Sequence, residues 1–222
     1  MQRTESAAHY AAERNTVRTL KKPTLILGAG VQASGKATVL HGIAKRTQDA
    51  VVLNRDTIIN SFIWERRNQE RVTLAPYLPE NGTIWTRRSE HYSRRVCLQS
   101  LHCLLMVGMD LLAQGKHALL EGGYTKEIEW GYVEHVVAPA LKARFGDSVN
   151  LKVVFATAPK EVIQARIQAR REPHDIDALK DGWNEFWARE RTAPTNLGNL
   201  PSIIVHTDKE IDWENLLAFL EE

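Results

Sequence analysis

Cysteine is almost absent: Cys97 and Cys103 are the only two in 222 residues. Six positions apart in a helix-patterned stretch, they make neither a zinc framework nor a disulfide scaffold. They are expected as reduced thiols packed along a helix, in keeping with a cytoplasmic setting. No run of about eighteen apolar residues occurs, so a membrane-spanning helix is not expected. The start, Met1-Gln2-Arg3-Thr4-Glu5, has no apolar signal-peptide core. Neither sign of charge dominates: the formal net charge is +2, which removes any global electrostatic case for nucleic acid and leaves only local patches. Also missing are an internal repeat, a low-complexity linker and an N-K-x-D guanine-reading motif. The chain has little room for the additional machinery of a motor-type ATPase.

What is present reads as one α/β domain. Hydrophobic residues make up 43% and charged residues 25%, ordinary values for a globular chain, and the length suffices to bury a core without staples. Five short apolar runs stand out: 24–27 (TLIL), 50–53 (AVVL), 117–120 (HALL), 151–156 (LKVVFA) and 202–205 (SIIV). Each fits a buried strand, and helix-patterned segments separate them at about 36–45, 56–72, 86–114, 126–144, 159–171, 177–190 and 211–221. Residues 74–83, with Pro76, Pro79 and Gly82, read as a loop. Alternation of this kind predicts a doubly wound, five-stranded, mostly parallel sheet with helices on both faces. Residues 1–22 read as an N-terminal arm or helix, and 23–222 as a single domain. That domain carries a helical insertion around 56–114 and a small helical lid around 166–190.

Between the first strand and the first helix stands Gly28-Ala29-Gly30-Val31-Gln32-Ala33-Ser34-Gly35-Lys36-Ala37-Thr38. It contains G-x-x-x-x-G-K from Gly30 to Lys36, the spacing of a phosphate-binding P-loop. Glycines let backbone N–H groups turn inward around phosphate oxygens, the helix that follows adds its positive N-terminal end, and Lys36 reaches the β- and γ-phosphates. Gly30, Val31, Gln32, Ala33, Ser34, Gly35, Lys36, Ala37 and Thr38 are therefore the expected nucleotide-binding stretch, and the fold class is the P-loop NTPase fold. The alternative is a glycine turn that merely caps a helix. One departure matters: the residue after the lysine, ordinarily Ser or Thr on Mg²⁺, is Ala37. Thr38 follows, rotated by about 100° on the helix, so it does not simply inherit that ligand position. A contact with the α-phosphate, or with the metal through water, remains open to it.

With that loop, an Asp after the second strand, an acidic end to the third and an Arg-rich helix after the fourth, the chain resembles the P-loop kinases. That group includes zeta toxins, chloramphenicol phosphotransferase and polynucleotide kinases, with adenylate kinase more distant. The resemblance spans roughly 23–210. It implies binding of ATP (or GTP) with Mg²⁺. It gives Asp56 the proton of an attacking hydroxyl, against a plain helix-capping role; the Arg that many relatives carry three residues later is Ile59 here. It makes Glu121, in Leu119-Leu120-Glu121-Gly122-Gly123, a Walker B-type acid for the metal through water, against an ordinary acidic strand end. Gly122 and Gly123 would admit a substrate close to the backbone. It makes Arg166 and Arg170, one turn apart on one helix face, lid arginines that stabilise the phosphoryl group in flight, against a solvated face at a helix C-terminus. Arg171 beside them, and Thr207 in His206-Thr207-Asp208, are expected on the nucleotide.

Between the second and third strands, 85–95 (WTRRSEHYSRR) mixes basic and aromatic residues. Arg87, Arg88, Tyr92 and Arg95, with Asp56 and Glu121, are the expected acceptor-binding set. The partner would be a phosphorylated or acidic acceptor or a nucleic-acid backbone; a charged surface helix is the plain alternative. Trp183 and Trp187, spaced i, i+4, are expected to pack on the core. The function read from all this is transfer of the γ-phosphate of ATP to a hydroxyl of a small molecule, nucleotide sugar or nucleic-acid end. The alternatives are a nucleotide-binding regulator with weakened catalysis and a nucleic-acid-binding module using the arginine cluster.

Overall fold

The computed structural model describes residues 17–62, 90, 92–170, 175, 179, 182–190, 197 and 199–222. Among these, five strands form one sheet: β1 (Thr24–Ala29), β2 (Ala50–Asn54), β3 (His117–Glu121), β4 (Asn150–Thr157) and β5 (Ser202–His206). Their order is β2-β3-β1-β4-β5. Every pairing is parallel, with Leu25 opposite Ala118 and Leu151, and Asn54 opposite Glu121. This is the P-loop NTPase fold that the sequence predicts. The helices are α1 (Lys36–Arg46), α2 (Arg55–Phe62), α3 (Cys97–Ala113), α4 (Thr125–Glu129), α5 (Ala138–Phe145), α6 (Lys160–Arg170), α7 (Trp183–Arg189) and α8 (Trp213–Glu221). No helix among the described residues is long and apolar enough to cross a membrane.

The period of two along each strand sends alternate side chains into two cores. Leu25, Leu27, Ala118, Leu120, Val153 and Phe155 face Leu101, Leu104, Leu105, Met109 and Leu112 of α3. Ile26, Leu119, Val154, Ala156 and Val205 face Val39, Leu40 and Ile43 of α1 and Leu216, Leu217 and Leu220 of α8. Burial on both sides is why these strands read as continuous apolar runs rather than alternating ones. A smaller third cluster gathers Val31, Ala158, Ile163, Ile167 and Phe186, with Trp183 and Trp187 packed against it. The tryptophan pair thus lies on α7 against this cluster, ring centroids 5.5 Å apart.

Two expected helices are interrupted, and among the described residues the one expected from 177 begins, as α7, only at Trp183 after Gly182 at φ 99°. The stretch 126–144 is not continuous: α4 stops at Trp130, Gly131 takes φ 76°, and a π-helical turn (Val133–Val137) leads into α5. The break lets Ile128, Val133, Val137 and Leu141 all face the same core, which one uninterrupted helix of 3.6-residue period would not. Likewise a π-helical turn (Tyr92–Val96) precedes α3. The remainder of the expected helix from 86, the loop 74–83 and the arm 1–16 lie outside the described residues. Cys97 and Cys103 are free thiols on α3.

At the amino edge of the sheet His117 is buried, and its Nδ1 accepts the Thr24 N–H at 3.2 Å. Burial lowers its proton affinity, with Asp49 acting partly against this. A histidine depressed in the folded state binds fewer protons than in the unfolded chain, so its contribution to stability is lost as pH falls below about 6.5. Urea-denaturation midpoints are expected to drop between pH 7.5 and 5.5, and less steeply in His117→Asn, whose amide oxygen still accepts from Thr24. Equal slopes in both proteins would show that His117 contributes no such dependence.

Candidate functional site

The site forms where β1, β2, β3 and β5 release their chains at the carboxyl edge of the sheet, the position at which open α/β folds bind ligands. The loop Gly30–Gly35 leaves β1 with three left-handed residues: Gly30 at φ 136°, Ala33 at 60° and Gly35 at 91°. A Cβ on Gly30 would lie 2.3 Å from the Ala156 carbonyl oxygen, and one on Gly35 would lie 2.9 Å from Thr207. Both positions need glycine for backbone angle and for space.

The loop carbonyls are nearly all engaged by other groups. Lys36 Nζ donates to Gly30 O at 2.9 Å and Val31 O at 2.7 Å. Ser34 N–H donates to Val31 O, and Val39 N–H to Gly35 O. Thr207 Oγ1 donates to Ser34 O at 2.7 Å, and Arg166 Nη1 to Ala33 O at 3.3 Å. Ser34 Oγ is buried inside the loop without a partner. An arch whose carbonyls are satisfied from outside can present its amides to an anion.

Around it lies a cleft of about 630 Å³, lined by Ala33, Gly35, Lys36, Ala37, Thr38, Glu121, Arg166, Ala169, Arg170, Thr207 and Ile211. The size is within the usual range for small-molecule sites. Of the expected site residues, the structure therefore brings Ala33, Gly35, Lys36, Ala37, Thr38, Glu121, Arg166, Arg170 and Thr207 to one space. Asp56 stands half-buried at the start of α2, close enough to act on both Lys36 and Glu121. Tyr92 packs against Ile59 and Val96, and Arg95 is exposed; neither lines the cleft. Arg87, Arg88 and Arg171 lie outside the described residues.

Lys36 is half-buried as a whole, but its ammonium is enclosed by the loop, and burial pulls its pKa down to about 8 against the attraction of Glu121 and Asp56. Glu121 is shifted the opposite way: burial raises its proton affinity, Lys36 opposes this, and Asp56 adds to it. For both groups desolvation outweighs the partner's charge. Arg166 Nη1 and Nη2 also donate to Thr207 Oγ1 at 2.9 Å and Thr207 O at 2.7 Å, so this arginine ties α6 to the end of β5.

Three features were not legible as site residues. Asn54, not Asp56, caps α2: its Oδ1 accepts the Asp56 N–H at 2.6 Å, while its Nδ2 donates to Glu121 Oε2 at 3.0 Å. An Asn at a strand–helix junction is the available signal. Arg55 is buried, donating to Ser100 Oγ, Cys97 O and Cys97 Sγ; nothing in the sequence separates it from an exposed arginine. Asp175, expected only as part of a turn, is 1% exposed and holds Arg170. Gly122 serves packing, since a Cβ there would lie 2.5 Å from the Tyr124 ring.

The sequence model of the AAA domain matches residues 25–191. The chain belongs to the AAA domain family. Among solved structures, a candidate kinase from Chloroflexus aurantiacus shares 18% identity over 90% of this chain and 97% of its own, at a TM-score of 0.58. A chain of the PezAT chromosomal toxin–antitoxin system of Streptococcus pneumoniae shares 15%, over 94% and 79%, at 0.46. The tunicamycin resistance protein of Deinococcus radiodurans shares 14%, over 83% and 87%, at 0.41. No curated protein matches the chain in sequence. The fold of this AAA domain is that of the P-loop small kinases its sequence resembles.

In this AAA domain, the enclosed ammonium gives a pH test. Below its pKa Lys36 is charged and would attract the phosphates of a nucleotide; above it the amine is neutral. ATP affinity, measured by calorimetry at fixed Mg²⁺, is expected to weaken by about tenfold or more between pH 7.5 and 9.5. The decline should be absent from a uniformly weak Lys36→Met. A flat wild-type profile over this range would contradict the assignment.

Proposed function

We propose that the protein is an ATP-dependent phosphotransferase that moves the γ-phosphate to a hydroxyl group. The observation that carries this reading is that Lys36 and Glu121 line one cleft beside the glycine arch, with Asp56 near enough to act on both. Residues Gly30 to Thr38 would hold the phosphates through backbone amides, with Lys36 moving from the Gly30 and Val31 carbonyls onto the β- and γ-oxygens. Thr207 lines the same cleft and Arg171 follows α6; both would contact the nucleotide. Asp56 would orient the acceptor hydroxyl and take its proton as the oxygen attacks phosphorus. The new P–O bond then forms as the bond to the ADP oxygen breaks, and ADP leaves. Arg166 and Arg170 would balance the charge on the equatorial oxygens. Arg87, Arg88, Tyr92 and Arg95 would meet the acceptor: a small molecule, a nucleotide sugar or a nucleic-acid end.

The chemistry of the donors fits Mg²⁺. This ion keeps several waters and takes one or two carboxylates with phosphate oxygens, and Glu121, oriented by Asn54, supplies a carboxylate at the cleft. Thr38 could contribute through water; Ala37 contributes no oxygen. When bound, Mg²⁺ neutralises charge on the β- and γ-phosphates. Ala37, which lines the cleft, also favours a second reading, a nucleotide-binding regulator with weakened catalysis.

Label transfer from γ-labelled ATP with Mg²⁺ to a pooled panel separates the two. The panel holds nucleosides, nucleotide sugars, aminoglycosides, chloramphenicol and 5′-hydroxyl DNA and RNA. The expected outcome is one labelled acceptor, with the signal reduced at least about a hundredfold in Lys36→Ala and Asp56→Asn. ATP binding without transfer, with turnover appearing in Ala37→Ser, would favour the regulator. Salt-sensitive oligonucleotide binding that survives Lys36→Ala would favour a nucleic-acid module. Absence of nucleotide binding would sink the kinase reading.

A further inference from the structure

Arg170 faces the cleft, and its charge is felt by both Lys36 and Glu121. Among the described residues, a carboxylate holds it there. Arg170 Nε donates to Asp175 Oδ2 at 2.9 Å and Nη2 to Asp175 Oδ1 at 2.6 Å. That is a side-on bidentate pair, which fixes the plane of the guanidinium as well as its position. Asp175 is 1% exposed while the Arg170 side chain is 41% exposed, so the acid is the anchored partner and the arginine the presented one. The same Asp175 Oδ1 also accepts from Gln32 Nε2, in the second variable position of the glycine arch.

A buried carboxylate is costly unless paired and hydrogen-bonded. Among the described residues, its partners come from the arch on one side and from the last turn of α6 on the other. Arg166, one turn earlier, is tied to Thr207 and Ala33. The two arginines are thus set on the arch through different contacts.

We infer that Asp175 is a positioning residue. By gripping Gln32 and Arg170 together it locks the guanidinium of Arg170 at a set distance from the phosphate arch, so that Arg170 reads the terminal phosphate of a bound nucleoside triphosphate. This rests on the proposed nucleotide-binding reading, and it concerns discrimination between triphosphate and diphosphate. Without Asp175 the arginine keeps its charge but loses its aim.

The test is the ratio of ADP to ATP dissociation constants at fixed Mg²⁺, by calorimetry, for wild type, Arg170→Ala, Asp175→Asn, Gln32→Ala and the Arg170→Ala/Asp175→Asn pair. Asp175→Asn is isosteric and can still accept hydrogen bonds; thermal melting and circular dichroism check its fold, and Asp175→Glu serves as the conservative rescue. Wild type is expected to prefer ATP. Arg170→Ala and Asp175→Asn should each lose about tenfold of that preference, with ADP affinity changed less than about threefold. The double variant should lose no more than Arg170→Ala alone, and Asp175→Glu should recover part of the loss. A smaller loss of the same kind is expected in Gln32→Ala. A folded Asp175→Asn that keeps the wild-type ratio, an unchanged ratio in Arg170→Ala, or additive losses in the double variant would each overturn the inference while leaving nucleotide binding intact. Wild-type protein that binds neither nucleotide would overturn the proposed function and this inference with it.

Discussion

The arch from Gly30 to Gly35 must keep its carbonyls supplied with donors, and the rest of the site depends on that. A backbone carbonyl left without a donor in a half-buried loop costs about 1–3 kcal/mol. Several such debts in six residues would collapse the arch into an ordinary turn. The donors come from elements far apart in sequence: Thr207 after β5, Arg166 on α6, and Lys36 and Val39 on α1. Gly30 N–H in turn donates to Gly123 O, beyond the end of β3. The phosphate loop is therefore a property of the assembled sheet edge. Its glycines permit the shape, and the neighbouring strands enforce it.

Lys36 occupies an electrostatically unresolved position within that frame. Its ammonium donates to two loop carbonyls and is attracted by Glu121 and Asp56, yet burial still prevails and lowers its proton affinity. The balance has a direction. The polyphosphate proposed above would add negative charge where Lys36 has too little, and so meet a cation already poor in compensation. Glu121, whose proton affinity is raised by burial and by Asp56, is the mirror case, a carboxylate that gains from a nearby cation. Lys36 would thus gain from an anion beside it and Glu121 from a cation, a complementarity expected of a candidate binding site rather than of a stability element.

The sheet was largely legible in the sequence because buried parallel strands are the simplest pattern to read. The five apolar runs correspond to β1 through β5, each extended by one or two residues. The glycine spacing located the arch for the same reason: only glycine tolerates the angles at Gly30 and Gly35. Side-chain pairing was less legible because it depends on contacts between distant segments. Asp175 reads as one acid in a turn until α6 and the arch bring Arg170 and Gln32 to it. Arg55 reads as a surface cation until α3 surrounds it with Ser100 and Cys97. The break at Gly131 follows from the need to keep four apolar residues on one core face, a demand no local pattern states.

Asn54 illustrates how one register decision sets two acids at once. β2 and β3 pair so that Asn54 lies opposite Glu121 at the last rung of the ladder. The amide then divides its two ends: Nδ2 holds the Glu121 carboxylate, and Oδ1 caps α2 on the Asp56 N–H. An aspartate in place of Asn54 could cap the helix equally well, but it would set a second negative charge against Glu121. A serine or threonine could cap but would reach less far toward the neighbouring strand. The side-chain amide, short, neutral and carrying both a donor and an acceptor, meets both demands. A one-residue slip between β2 and β3 would remove the rung and turn Asn54 to the opposite face, and with it the shared orientation of Glu121 and Asp56. The strand pairing that sets half-buried Val52 and Leu53 beside Leu119 and Leu120 is thereby the same interaction that aligns the acidic half of the site.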